Sequence, residues 1–210
     1  WEYVSPLRTA RSGHATVSYE GNIYVIGGVT TRAVVLNTIE IYDPTTDQWK
    51  DGPTLPIPLY YHNAVVANDT IYIIGGISAN GRISNQLFKY TPGRGILRGT
   101  DLPDQIFASA SVYKDGKILV MGGRQSDREG EALRSGYEFN LRTQSWSESQ
   151  HSLNFGRSNF CLTDGDYTLA FGGIDFEVVI SVERLTPEGW GNISRMPVPR
   201  GHFQGVALGN

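Results

Sequence analysis

A single cysteine, Cys161, stands among the 210 residues of this chain. One thiol excludes an intrachain disulfide and any cysteine-based metal site. Its place in the apolar run Phe160-Cys161-Leu162 reads as a buried, inert group. No apolar stretch approaches the ~20 residues that a membrane span needs. Lysine is scarce, 4 residues against 14 arginines, and 21 acidic groups outnumber 18 basic ones to leave a net charge of −3. A mildly acidic chain lacks the dense basic field of a nucleic-acid or anionic-membrane surface. Amphipathic helical windows are absent, as are a nucleophile elbow, a phosphate loop, a dinucleotide fingerprint and a zinc-protease motif. Neither an initiator methionine nor a signal peptide precedes Trp1. The expectation is a cytoplasmic protein whose targeting segments, if any, are cut away, with secretion kept open by the acceptor triplets Asn68-Asp69-Thr70 and Asn192-Ile193-Ser194.

What is abundant is glycine, and its placing organises the chain. Ile23-Tyr24-Val25-Ile26-Gly27-Gly28 is echoed by Ile71-Tyr72-Ile73-Ile74-Gly75-Gly76, Ile118-Leu119-Val120-Met121-Gly122-Gly123 and Thr168-Leu169-Ala170-Phe171-Gly172-Gly173. Each is a short apolar run without alternation, read as a strand buried on both faces that ends where backbones pass closely. The first glycines are spaced by 48, 47 and 50 residues. Such a period marks a repeat whose unit must stack on its neighbours to bury its apolar face. Before each run come a strand and a tight turn, Glu20-Gly21, Asn68-Asp69, Asp115-Gly116 and Asp164-Gly165, so strands one and two form a hairpin. After the glycines a polar loop leads to a third strand, Ile39 to Tyr42, Leu87 to Tyr90, Tyr137 to Phe139 and Val182 to Leu185, and then a fourth holding Trp49, Leu97, Trp146 or Trp190. Four meandering antiparallel strands per unit are the pattern of a propeller blade.

The paired glycines, with Tyr42 seven residues before Trp49 and Phe139 seven before Trp146, resemble the kelch repeat, and the resemblance covers essentially the whole chain. It implies an all-β, kelch-type β-propeller in a single domain, 1–210, with four complete four-stranded blades at about 5–52, 53–100, 101–149 and 150–194. Trp1 to Val4 reads as the last strand of a preceding unit and 200–208 as the first strand of a following one. Such partial strands imply a five- or six-bladed ring if complete, with open blade faces prone to self-association.

Thirteen residues before each glycine pair stand His14, His62, Ser109 and Asn159, with His202 aligned to them at the C-terminal end. Three imidazoles near a channel can hold a metal, but Ser109 and Asn159 break the set, and no metal, cofactor or catalytic residue is assigned. The loops are the stronger candidates. Those entering each first strand carry Arg11, Tyr60, Tyr61, Phe107, Arg157 and Arg200, and those after the glycines carry Arg32, Arg82, Arg124 and Arg128. Both loop sets of a blade emerge on one face, and arginine with tyrosine and phenylalanine is the composition of interface hot spots. The resemblance implies a scaffold or substrate-adaptor module that binds a protein or peptide, acidic in character, a binding role being favoured over an enzymatic one, which stays open. The alternative is a carbohydrate-binding or carbohydrate-active propeller, like the copper oxidases and sialic-acid mutarotases that share the repeat, with Tyr60, Tyr61 and Phe107 as sugar platforms.

Overall fold

A computed structural model describes residues 2–126, 130–203 and 205. Among them there are strands and turns and no helix. The chain divides into two compact units, Trp1–Asp101 and Leu102–Asn210.

The first unit holds two four-stranded meanders. Strands β1 (Ala15–Tyr19), β2 (Asn22–Ile26), β3 (Ile39–Asp43) and β4 (Gln48–Asp51) pair in that order. After β5 (Leu59–Tyr60), strands β6 (Asn63–Ala67) and β7 (Thr70–Ile74) form a hairpin. Next come β8 (Ile77–Ser78), which pairs with β5, and β9 (Leu87–Thr91) and β10 (Gly95–Arg98), which complete the second sheet. Every neighbouring pair is antiparallel. Tyr24, Ile26, Ile39 and Ile41 of the first sheet share a core with Ile71, Ile73, Phe88 and Tyr90 of the second and with Leu55 and Leu59 of the segment that joins them. The apolar face that a lone blade leaves in water is thereby removed from it, at roughly 25 cal/mol per Å².

The second unit repeats the plan. It comprises β11 (Ala110–Lys114), β12 (Lys117–Met121), β13 (Gly136–Asn140) and β14 (Ser145–Glu148), then β15 (Cys161–Thr163), β16 (Leu169–Phe171), β17 (Ser181–Thr186) and β18 (Gly189–Arg195). Ala110, Val112, Leu119 and Met121 meet Leu162, Ala170, Trp190 and the linker residue Leu153. Cys161 is buried, and that burial pushes its thiol up to about 11.

Three hairpin turns have the backbone that their residues foretell, with φ of 48° and 76° at Glu20-Gly21, 44° and 59° at Asn68-Asp69, and 48° and 77° at Asp115-Gly116. The fourth differs. Thr163 pairs with Leu169 across the loop Asp164–Thr168, so Asp164-Gly165 is no two-residue turn. Instead the Asp164 carboxylate accepts from Lys114 Nζ (2.9 Å) and from the Thr168 hydroxyl, and these bonds stabilise a wider loop.

The glycine pairs sit where backbones touch. A Cβ on Gly76 would lie 2.6 Å from His62 Cβ, and one on Gly27 would lie 2.5 Å from Leu59 O and 2.7 Å from His62 Cε1. His62 is therefore wedged between the glycines of its own sheet and those of the preceding one. Neither site tolerates a side chain, and both hold φ values, 94° and 59°, that favour glycine.

At the ends, Glu2 to Val4 are exposed and carry no ladder pairing, because no described residue offers them a strand to join. Gly201 to Phe203 form no strand either. Even so, His202 N–H donates to Asn159 O (3.0 Å) and the Phe203 ring lies 5.8 Å from that of Phe171. Gln204 and Val206–Leu208, the rest of the expected C-terminal strand, lie outside the described residues.

Candidate functional site

In each unit the loop entering a first strand is bridged to the loop that follows the same sheet's glycine pair. Ser12 pairs with Val29, and Tyr60 with Ile77, in the first unit. Phe107 pairs with Arg124, and Ser158 with Ile174, in the second. Two loop sets with many polar groups are thus fixed side by side.

A left-handed residue precedes each of the four first strands, Gly13 (φ 61°), Tyr61 (52°), Ala108 (54°) and Asn159 (50°), and His202 (55°) repeats the conformation near the C-terminal end. Tyr61 N–H donates to Gly13 O (2.7 Å) in the first unit, and Asn159 N–H to Ala108 O (2.8 Å) in the second. The residue after each is the one that meets the glycines: His14, His62, Ser109, Phe160 and Phe203. Counting back from the glycines therefore misplaces the last two positions by one residue. The β15–β16 hairpin is one residue shorter than the others, since Cys161 pairs with Phe171 whereas Ala15 pairs with Ile26. Asn159 and His202 are the left-handed hinges, and phenylalanines stand where His14 and His62 stand. Burial, with His14 nearby, lowers the His62 pKa to about 3, and neither of its ring nitrogens has a hydrogen-bond partner among the described residues. The His14 pKa is lowered as well, by burial first and then by Arg11. Among the described residues no three metal-ligating side chains come together.

The arginines divide into two classes. Arg11 and Arg157, expected on the binding face, are instead enclosed, with side chains 0% exposed. Arg11 Nη1 donates to Gly27 O (2.9 Å) and Thr38 O (3.2 Å), while Nη2 pairs with Glu40. Arg157 repeats this geometry, with Nη1 on Gly172 O (3.0 Å) and Ser181 O (3.2 Å) and Nη2 on Ser181 Oγ (2.7 Å) and Glu183 Oε1 (2.5 Å). Burial lowers the Arg157 pKa, and the charge of Glu183 offsets part of that. The carboxylates also hold the linkers: Glu40 accepts from Arg8 N–H (2.9 Å), and Glu183 from Asn154 N–H (2.6 Å) and Phe155 N–H (3.3 Å). In the second and third sheets along the chain, the equivalent positions hold Leu59 and Phe88, and Ile106 and Tyr137. Where the cation is lost the carboxylate is lost with it, which is the mark of a structural pair. Sequence reasoning missed the two acids, although a charge inside an apolar strand, as in Ile39-Glu40-Ile41, is the signal that would have found them.

Arg124 is half-buried and joins loops within the second unit, donating to Ser158 Oγ (3.1 Å), Asp175 O (2.7 Å) and Gly130 O. Phe107 is buried and Arg200 exposed. Arg128 lies outside the described residues.

Arg32 and Arg82 are exposed at the tips of the loops after β2 and β7, and neither has an ion-pair partner among the described residues. Tyr60 and Tyr61 are half-buried, with rings 5.2 Å apart and inclined at 47°. Tyr60 belongs to the β5–β8 ladder at the base of the Arg82 loop. The Tyr61 ring lies 3.4 Å from where a Cβ on Gly13 would be, beside the Ser12–Val29 bridge at the base of the Arg32 loop. The first unit thus carries a tyrosine pair that adjoins the bases of two loops, each bearing an exposed arginine that no described carboxylate neutralises.

The family model described as the KLHDC2/KLHL20/DRC7 Kelch-repeats domain matches residues 2–173. Mouse Kelch-like protein 35 is 33% identical over 73% of this chain, human Kelch-like protein 33 is 30% identical over 70%, and alpha-scruin of Limulus polyphemus is 28% identical over 77%. The alignments span 25%, 27% and 18% of those proteins, so the chain corresponds to about a quarter or less of each. The solved structure titled "Structure of YjhT" superposes with a TM-score of 0.85 at 15% identity, covering 98% of this chain and 77% of that one, which establishes the fold. With the glycine pairs and the meandering sheets, these matches place the chain in the kelch-repeat family, as a kelch-type β-propeller.

Proposed function

We propose that this propeller is a protein-interaction module of the adaptor or scaffold kind, and that Tyr60, Tyr61, Arg32 and Arg82 receive an acidic segment of a partner. The observation that carries the reading is that two exposed guanidinium groups, without a described counter-charge, stand on the two loops whose bases adjoin the Tyr60-Tyr61 pair. Guanidinium forks bind carboxylates in two-point fashion, and tyrosine supplies contact area at little entropic cost. Arg11, Arg157 and Arg124 are left out of the site because their donors serve the fold. Protein relatives named Kelch-like support the class of function.

A photo-crosslinking residue at position 32 or 82 tests the site in cells. Both positions are expected to trap the same proteins, and position 97, exposed on β10, to trap none of them. Identical captures from all three positions refute the assignment. The reading extends to self-association through the outer face of the fourth sheet, where Leu169, Phe171 and Val182 are only half-buried. Sedimentation that gives a monomer at every concentration refutes that part.

A further inference from the structure

The tip of the Arg82 loop holds the chain's one Asn-Gly step, Asn80-Gly81. Ile77 and Ile83 close the loop with a bridge, and Gly81 N–H donates to Ser78 O (2.9 Å) to form a tight turn. Asn80 is exposed, yet its Oδ1 is engaged twice, by the Ser78 hydroxyl (2.6 Å) and by Arg82 N–H (3.1 Å). The Asn80 side chain thus forms an Asx turn that spans the Gly81 peptide, whose amide nitrogen is the neighbouring nucleophile in the chain. Two donors on a carbonyl oxygen draw density from its carbon and stabilise the oxyanion that forms when a nucleophile adds there. Gly81 brings no side chain to obstruct the approach, and nothing lies within 4 Å of where its Cβ would be. Every other internal asparagine is followed by a residue that has a side chain.

We propose that Asn80 is a site of spontaneous deamidation, which makes the tip of the Arg82 loop a covalent charge switch. The Gly81 amide gives its proton to hydroxide and adds to Asn80 Cγ. The new N–C bond forms, the Cγ–Nδ2 bond breaks, and ammonia leaves with a proton taken from water. Water then opens the five-membered imide at either carbonyl, giving aspartate or isoaspartate, and nothing is oxidised or reduced. Both products place a carboxylate beside Arg82, and isoaspartate lengthens the backbone by one methylene, which disrupts the Ser78–Gly81 turn. The chemistry stands without the proposed function; only its effect on an acidic partner rests on that reading.

The test is incubation of the purified chain in oxygen-18 water at mildly alkaline pH and physiological temperature, followed by peptide mass mapping. The Asn80 peptide is expected to take up label several-fold faster than any other asparagine peptide. Ser78→Ala, which removes one donor, slows the uptake several-fold, and Gly81→Ala slows it further. Equal labelling at Asn22 or Asn68, or a Ser78→Ala rate matching the parent, overturns the proposal. Asn80→Asp reports separately on binding. If labelling occurs as expected but Asn80→Asp leaves crosslinked capture at position 32 unchanged, the modification site stands and its link to the acidic partner fails.

Discussion

Replacing Arg157 by leucine is the perturbation whose outcome the structure defines most sharply. The guanidinium and the Glu183 carboxylate are both 0% exposed, so removal of the cation leaves an anion in a site that water does not reach. Breaking such a pair costs about 3–5 kcal/mol. For a chain of this length each kcal/mol moves Tm by about 2–4 °C, so Arg157→Leu is expected to melt roughly 6–20 °C below the parent. High salt should barely change the loss, since screening does not reach a buried pair. The second repeat, which has Leu59 and Phe88 at the equivalent positions, supplies the compensating change. Arg157→Leu with Glu183→Phe removes both charges and is expected to recover at least half of the loss. The remainder reflects Asn154 and Phe155 N–H groups left without their carboxylate, a cost that water reduces because both residues are exposed. Thermal melts of the four proteins, followed by circular dichroism, give the coupling, expected within about 0.5–3 kcal/mol. Additive single variants, or an Arg157→Leu protein that melts within about 2 °C of the parent, refute the reasoning.

Acid should weaken the fold through His62. Its pKa is about 3 in the folded chain against 6.5 for an ordinary histidine, so the unfolded chain binds the extra proton. This contribution is fully present above pH 6.5 and is lost at ~1.4 kcal/mol per unit as pH falls toward the folded value. His62→Phe, which copies the Phe160 found in the equivalent cradle, is expected to flatten the fall in Tm between neutral pH and pH 4.5, and an unchanged slope contradicts the assignment. Gly76→Ala should cost roughly 1–2 kcal/mol from its left-handed backbone alone, plus the overlap with His62, and a chemical melt within 1 kcal/mol of the parent would contradict the close approach. Lys114→Met is expected to cost under about 1 kcal/mol, because its bond to Asp164 is partly solvated; urea melts will measure it.

Most of the fold was legible in the sequence because a repeat gives four readings of one pattern. Strand order, three of four hairpin turns and the glycine contacts follow from apolar runs, turn pairs that tolerate positive φ and the 47- to 50-residue spacing. The fourth hairpin was not legible, since Asp164-Gly165 satisfies the turn pattern while the Lys114 and Thr168 bonds favour a wider loop. That one-residue shift also hid Phe160 and Phe203 as the counterparts of His14 and His62. The site was half legible. Composition and loop position find Arg11 and Arg157 as readily as Arg32 and Arg82, and only the buried Glu40 and Glu183 separate them. A carboxylate pairing across strands is a non-local fact that loop composition does not carry.

Two double variants studied together distinguish the two classes of arginine most directly. Arg11→Leu with Arg157→Leu should lower Tm steeply, whereas Arg32→Glu with Arg82→Glu should keep the parent Tm and lose the partner captured at the Tyr60-Tyr61 shelf. The opposite pattern, a stable first variant or a second one that still captures its partner, contradicts the division.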